Sequence, residues 1–262
     1  MNSSFPKERK SRMMKREQND PIGDGALYAD YFSARGVNRE MYREFKLPKS
    51  FKQHLPESRT SRFLDIGCGM GQSMSALIEL GYSFVYGIDI SMAAIEECRS
   101  RGLLVEHVSD IINHKVESEG EKYDVVLMNQ VLEHVPKNEI IPTIVHIRQR
   151  LLKSDGVFYV SVPNAQSPTG CYWAYEDFTH STLFTAGSLL FVLRSAGFSQ
   201  VTFLDCDGTD DSSWFTKILK RILVRIYDVN VLFWNKATGS AFHAPSPRIY
   251  TFTLQALAKV DG

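Results

Sequence analysis

A chain of 262 residues, 44% of them hydrophobic and 23% charged, can bury a full core, which excludes a fibrous or wholly disordered protein. Its 30 basic and 30 acidic residues cancel, so the global basic field of a dedicated nucleic-acid binder is absent and nucleic acid is not an expected partner. The four cysteines, Cys68, Cys98, Cys171 and Cys206, are scattered without a CxxC pair, as in a cytoplasmic protein with reduced thiols, and neither a secretory signal nor a membrane span is expected.

The first segment, residues 1–20, carries Lys7, Arg9, Lys10, Arg12, Lys15 and Arg16 with almost nothing to bury and reads as a disordered basic tail. Residues 21–262 are expected to form one domain. From Ala26 to Phe45, Leu27, Tyr28, Tyr31, Phe32, Met41 and Tyr42 suggest two short amphipathic helices that cap a pocket or extend the core.

Beyond Arg59 the pattern repeats as an apolar run, a turn and a helical stretch. Strands are expected at Arg62 to Gly67, Phe84 to Asp89, Leu103 to Val108, Tyr123 to Met128 and Gly156 to Val162. The intervening helices are Gln72 to Leu80, Ser91 to Arg101 with Ser91 as N-cap, Ile140 to Leu152, and Thr185 to Ala196 closed by Gly197. Strands alternating with helices imply a doubly wound, mostly parallel α/β sheet covered on both faces. The last two strands, Val201 to Cys206 and Ile249 to Val260, leave no room for a final crossover helix, so the seventh strand is expected antiparallel beside the sixth.

Between these strands lies an insertion, residues 207–247. Over 214–229, Phe215, Ile218, Leu219, Ile222, Ile226 and Val229 fall on one side of a helix, with Lys217, Lys220, Arg221 and Arg225 on the other. Such a helix packs on the protein core, pairs with a second copy, or lies peripherally on a membrane surface, which would place the protein at the inner membrane face.

The chemistry concentrates at strand ends. In Leu64-Asp-Ile-Gly-Cys-Gly-Met-Gly71 three alternating glycines follow a strand and precede a helix, letting bare backbone approach a ligand. The GxGxG spacing, with Asp65 ahead of it, disfavours a nicotinamide dinucleotide. Asp89, ending the second strand, offers two acceptor oxygens to the vicinal hydroxyls of a ribose, and Asp110, after the third, an acceptor to an adenine amine. Either aspartate alone would read as a surface or capping residue.

The series LDIGCGMG, YGIDIS, SDI, YDVVLMNQVLEHVPK and LLKSDGVFYVSVPN resembles the class I S-adenosylmethionine (SAM)-dependent methyltransferases, whose Rossmann-like fold is the one inferred above. NQVLEHV and the later Thr-His and Phe-Thr segment are similar to ubiquinone-biosynthesis-type O-methyltransferases and to sugar or polysaccharide methyltransferases. The resemblance implies that Asp65, Gly67, Gly69 and Gly71 hold the methionine end of SAM, Asp89 with Ile90 the ribose, and Asp110 with Ile111 the adenine. It implies that Asn129 and Gln130 lie near the sulfonium, Glu133 and His134 face the acceptor, and the loop Val162-Pro-Asn-Ala165 walls the pocket. S-adenosyl-L-homocysteine would be the product.

A hydroxyl acceptor must lose a proton, and His180 and His134 are the candidate bases, with Glu133 beside them. His134 reads equally as a packing or helix-cap histidine, and His180 as a hydrogen-bonded structural one. Glu133, Glu176, Asp177 and His180 could be assembled into a divalent-metal site, but no dense ligand spacing supports it and no metal is expected. Tyr172, Trp173, Tyr175 and Phe178 form an aromatic group suited to stacking on a flat ring or sugar face, or to a packed lid. The reading is O-methylation of a small-molecule, quinone-like or glycan acceptor. Its rivals are an N-methyltransferase on nucleic acid or protein, disfavoured because Asn129-Gln-Val-Leu132 replaces the Asn/Asp-Pro-Pro-Tyr pattern, and a non-catalytic SAM-binding module.

Overall fold

A computed structural model of the protein describes residues 40, 45–114, 116, 121–241 and 246–260. The basic tail expected over 1–20 lies outside these residues, as do the two helices expected over 26–45 apart from Glu40 and Phe45. Seven strands form one sheet: β1 (Arg62–Ile66), β2 (Phe84–Asp89), β3 (Leu104–His107), β4 (Tyr123–Asn129), β5 (Leu152–Pro163), β6 (Gln200–Leu204) and β7 (Thr253–Lys259), in the order β3-β2-β1-β4-β5-β7-β6. Strands β1 to β5 pair in parallel, and β7 runs antiparallel to both β5 and β6. The reversed last strand is the one the sequence implies, and it also inserts itself between β5 and β6.

The helices are α1 (Lys49–Lys52), α2 (Gln72–Glu79), α3 (Met92–Ser100), α4 (Ile140–His146), α5 (Gly170–Glu176), α6 (Ala186–Ser195) and α7 (Trp214–Thr238). Alternate strand residues feed two cores, because successive side chains leave a strand on opposite faces. Leu64 and Ile66 of β1, Val126 and Met128 of β4, and Phe158, Val160 and Val162 of β5 pack with Ile140 and Ile144 of α4 and Leu189 and Leu193 of α6. Phe63, Val125, Leu127, Val157 and Tyr159 point the other way, onto Phe51 of α1 and Met74 and Leu77 of α2.

Three helix ends follow their caps. Ser91 accepts from the amide of Ala94 at the start of α3, and Thr185 and Ser188 form a reciprocal capping box on α6. Gly197, at φ +95°, closes the turn after α6. Where the sequence suggests one helix from Ile140 to Leu152, α4 gives way at His146 to a wider π turn over Ile147–Leu151, which keeps both Ile147 and Leu151 on the core before the chain enters β5. Helix α7 runs past Val229 to Thr238, because Val231 to Trp234 continue the apolar run and termination waits for Gly239 at φ +72°.

The neighbours of β1 are β2 on one side and β4 on the other, and chain order reverses between β1 and β4. In doubly wound sheets such a switch point is where ligands bind, in the crevice outside the carboxyl ends of the two strands.

Candidate active site

The turn after β1 is built from left-handed backbone: φ is +69° at Gly67, +51° at Gly69 and +72° at Gly71. Only glycine takes these angles without strain. At Gly67 a methyl group would stand 2.2 Å from a Val131 methyl, so the turn rests directly on the segment following β4. Its register is held by Ile88 of β2, whose carbonyl accepts from the amides of Gly67 (2.8 Å) and Cys68 (3.1 Å).

Asp89 binds the loop as well as facing the crevice. One carboxylate oxygen accepts from the Gly69 amide at 2.8 Å and the other from the Ser91 amide at 2.7 Å. Each oxygen keeps a second acceptor direction, so the two vicinal hydroxyls assigned to Asp89 are compatible with this tie. Burial raises its pKa, against the opposing pull of the Ser91 and Gly69 amides. Asp65, 2% exposed, is pushed up to about 8 by burial foremost and by the Asp89 charge.

Ile90 accepts from His107 Nε2 through its carbonyl at 2.9 Å, linking the tips of β2 and β3. Asp110 caps a short 3₁₀ turn, Ile111–Asn113, accepting from the Ile112 amide at 2.9 Å, and Ile111 packs against the core beside it. At the end of β4, Asn129 donates to Ser73 Oγ of α2 (3.4 Å) and accepts from Ser161 Oγ of β5 (3.0 Å). Gln130 takes φ +53° with its amide on the Ser161 carbonyl at 2.9 Å. A left-handed non-glycine residue costs about 1 kcal/mol, and this one turns the chain sharply from β4 across the crevice.

That turn delivers Glu133 and His134. Glu133 is fully buried, and neither carboxylate oxygen has a hydrogen-bond partner among the described residues. Burial, with the Asp177 charge adding and its own backbone amide opposing, pushes it up to about 8, so it stays protonated at neutral pH. Its carbonyl accepts from the amides of Ser181 (2.8 Å) and Thr182 (3.1 Å), pinning the segment that carries His180.

The two imidazoles lie 4.8 Å apart between ring centroids. His180 Nδ1 is 2.9 Å from the Trp173 carbonyl, which can only accept, so Nδ1 carries the hydrogen and Nε2 is the basic nitrogen. Thr179 donates its hydroxyl to Asp177 Oδ1 at 2.6 Å and therefore accepts from His134 Nδ1 at 2.8 Å, which fixes the same tautomer there. The other oxygen of Asp177 stands 3.8 Å from His180 Nε2. One buried carboxylate thus serves both rings. Ligand atoms of Glu133, His134 and His180 all lie within 4.8 Å of one another, close enough to converge on one cation, whereas Glu176 is exposed.

Asn164, expected in the pocket wall, is 1% exposed and donates to the carbonyls of Ile249 and Thr251, both at 2.8 Å. It is a tie between the end of β5 and the approach to β7. The aromatic group divides: Trp173 packs on Phe252 (centroids 4.7 Å) and Tyr172 (5.0 Å), while Tyr175 and Phe178 are 83% and 97% exposed. The sequence gives no role to Thr179, Ser161, Ser73 or the strain at Gln130. A local signal existed only for Thr179, whose amide also binds Asp177 Oδ1, in the turn that Asp-x-Thr favours.

A methyltransferase-domain family matches residues 37–202. The ubiquinone biosynthesis O-methyltransferase of Neisseria meningitidis serogroup C is 33% identical over 112 residues, 40% of this chain and 45% of that protein, so the chain spans less than half the length of this curated relative. Among solved structures, a SAM-dependent methyltransferase from Archaeoglobus fulgidus covers 89% of this chain and 98% of its own, with a TM-score of 0.59 and 20% identity. One from Mesorhizobium loti covers 79% and 94%, with a TM-score of 0.51 and 17% identity. These two show the shared Rossmann-like fold. With the family domain spanning more than half of its length, the chain belongs to the class I SAM-dependent methyltransferases, and SAM is its cofactor.

Proposed function

We propose that this protein methylates an oxygen of a small hydroxyl-bearing acceptor, phenolic, quinone-like or glycan, with His180 Nε2 as the base. The observation that carries this reading is the pair of imidazoles whose Nδ1 hydrogens are engaged, by the Trp173 carbonyl and by Thr179, so that both rings present basic Nε2 nitrogens beside a protonated Glu133. The relative named as a ubiquinone biosynthesis O-methyltransferase supports the same class of acceptor.

When bound, SAM supplies a methyl group already made electrophilic by its sulfonium. The glycine turn and Asp89 fit it chemically, with left-handed bare backbone and a carboxylate at the crevice that no Cβ obstructs. The chain's own part is to hold the hydroxyl in line and to take its proton. The acceptor oxygen would take the methyl carbon of bound SAM with cleavage of the carbon–sulfur bond, leaving S-adenosyl-L-homocysteine, and His180 Nε2 would take the hydroxyl proton. Asp177 stands 3.8 Å away to balance the resulting imidazolium. His134, tied to the same carboxylate through Thr179, is the second base.

A metal-assisted variant of this chemistry is favoured by one feature, the unpartnered Glu133 oxygens within reach of both histidines. A divalent cation there would displace the Glu133 proton and occupy imidazole nitrogens, and in place of the histidine base it would lower the acceptor hydroxyl's own pKa. The experiment is transfer of labelled methyl from SAM to catechol-type, hydroquinone and sugar hydroxyls, with and without chelator. Label in an ether product supports the proposal, and loss of turnover with chelator selects its metal-assisted form. Label only in amines, or SAM binding without turnover on any pool of a fractionated extract, refutes it in favour of N-methylation or a binding module.

A further inference from the structure

Helix α7 is packed the wrong way round for a soluble protein. Its inward side is formed by Lys217, Lys220, Val224, Tyr227, Asp228 and Val231, whereas Phe215, Ile218, Ile222, Ile226, Val229 and Phe233 all face outward and are exposed. Trp214 and Trp234 stand exposed near its two ends, at 76% and 58%. The inversion is held by polar contacts. Asp228, buried, accepts from Tyr250 Oη at 2.9 Å and pairs with Arg225 and Arg248 at 3.2 and 3.4 Å, while Lys220 donates to the Gly208 carbonyl at 2.6 Å. Buried polar ties of this kind are costly to break, so the outward apolar face is built into the fold.

We infer that this face docks α7 flat on an anionic lipid bilayer, so that the acceptor enters the active site from the membrane. Charge complementarity chooses that partner. The helix carries five basic residues, Lys217, Lys220, Arg221, Arg225 and Lys236, against the single acid Asp228, which is buried, so its outer side presents no carboxylate. Lys236 is exposed near the C-terminal end, Arg221 and Arg225 are exposed while paired with Asp207 (2.7 Å) and Asp228 (3.2 Å) and would exchange those partners for phosphate groups, and tryptophans near the two ends suit the interface between headgroup and acyl chain. A second copy fits less well: antiparallel pairing about the helix midpoint near Ile226 would bring Arg225, whose acid Asp228 is shared with Arg248, towards its own counterpart. The apolar arc, about half the circumference at 100° per residue, is also wider than the narrow seam of a helix pair. No helix among the described residues is long and apolar enough to cross a membrane, in keeping with a helix that lies along the surface.

The helix is joined to the catalytic edge. It leaves after β6 and returns to β7, whose Thr253 stands opposite Pro163 at the carboxyl end of β5. Tyr250 binds α7 through Asp228 and packs on Tyr227 at 5.1 Å; two residues on, Phe252 packs on Trp173, whose carbonyl holds His180. The exposed rings of Tyr175 and Phe178 lie on this same aromatic segment beside His180. The acceptor class this favours is an amphiphile with an apolar tail and a hydroxyl-bearing head, a deepening that rests on the methyl-transfer reading above.

The test is co-sedimentation of the full chain with phosphatidylcholine vesicles, with and without phosphatidylglycerol, for the wild type and for Ile222→Glu/Ile226→Glu, with SAM affinity and melting temperature measured on both. The proposal expects wild-type binding to anionic vesicles that weakens with salt and falls at least about tenfold in the double variant, whose SAM affinity and melting temperature stay unchanged. It is overturned if the wild type ignores anionic vesicles or the variant binds them equally well. A wild-type dimer that the variant dissolves, without vesicle binding, assigns the face to a second copy. A fall in the variant's melting temperature, without vesicle binding, assigns it to residues 1–39 of the chain itself. Vesicle binding without SAM binding would break the enzyme reading alone, and SAM binding without vesicle binding this one alone.

Discussion

The two halves of the crevice are built on opposite principles. On the β1–β2 side polar groups are consumed by the protein: Asp89 ties Gly69 and Ser91, the Ile88 carbonyl holds two amides of the turn, and Ile90 is fastened to His107. On the β4 side Glu133 keeps two buried oxygens without partners among the described residues, and His134 and His180 are held by Nδ1, which leaves Nε2 the basic nitrogen of each ring. A cofactor shared by many enzymes is met by rigid backbone, whose cost falls on folding. A reaction needs groups whose protonation can change, and these are kept poised at a cost in stability.

This contrast breaks first at Gly67. Gly67→Ala adds a methyl group 2.2 Å from Val131 at φ +69°, and it should lower stability by about 2 kcal/mol and SAM affinity by more than roughly tenfold. Chemical unfolding and calorimetry measure both, and an unchanged affinity would show that the turn does not touch the ligand. On the opposite side, His180→Ala should slow methyl transfer by roughly a hundredfold while leaving SAM affinity intact. Should His134→Ala instead produce the larger loss, the base assignment passes to that ring.

A finer division is set by Thr179. Thr179→Val removes the hydroxyl between His134 and Asp177, and turnover should fall by about tenfold or less with a displaced pH profile and unaltered SAM binding. A pH profile identical to the wild type would reduce Thr179 to a turn residue. The smallest effect concerns stability. Glu133 holds its proton up to about 8 in the folded chain but releases it above its ordinary value of 4.5 when unfolded, so it makes the fold progressively less stable as pH rises from 4.5 to about 8. Glu133→Gln should flatten that decline without abolishing it, since Asp65, also pushed up to about 8, contributes in the same direction. Parallel curves of unfolding free energy against pH for the two proteins would mean that Glu133 is ionised in the native state.

Local chemistry fixed the parts that were legible in the residues. Glycines where φ must be positive, Ser91 and Thr185 at helix starts, and apolar runs of strand length specify turns, caps and sheet without reference to distant partners, and a last strand without a crossover must return antiparallel. The period of α7 was also readable, but not the direction of its apolar face, because periodicity defines a stripe and tertiary partners, Tyr250 and Arg248 on Asp228 and the Gly208 carbonyl on Lys220, hold one stripe inward. Likewise the tautomers of the two histidines depend on Thr179, 45 positions from His134, and on the Trp173 backbone carbonyl, which no side-chain pattern advertises. What the sequence determined was set by torsions and spacing along the chain; what the tertiary structure decided was set by burial and by hydrogen bonds between residues that meet only after the sheet has formed.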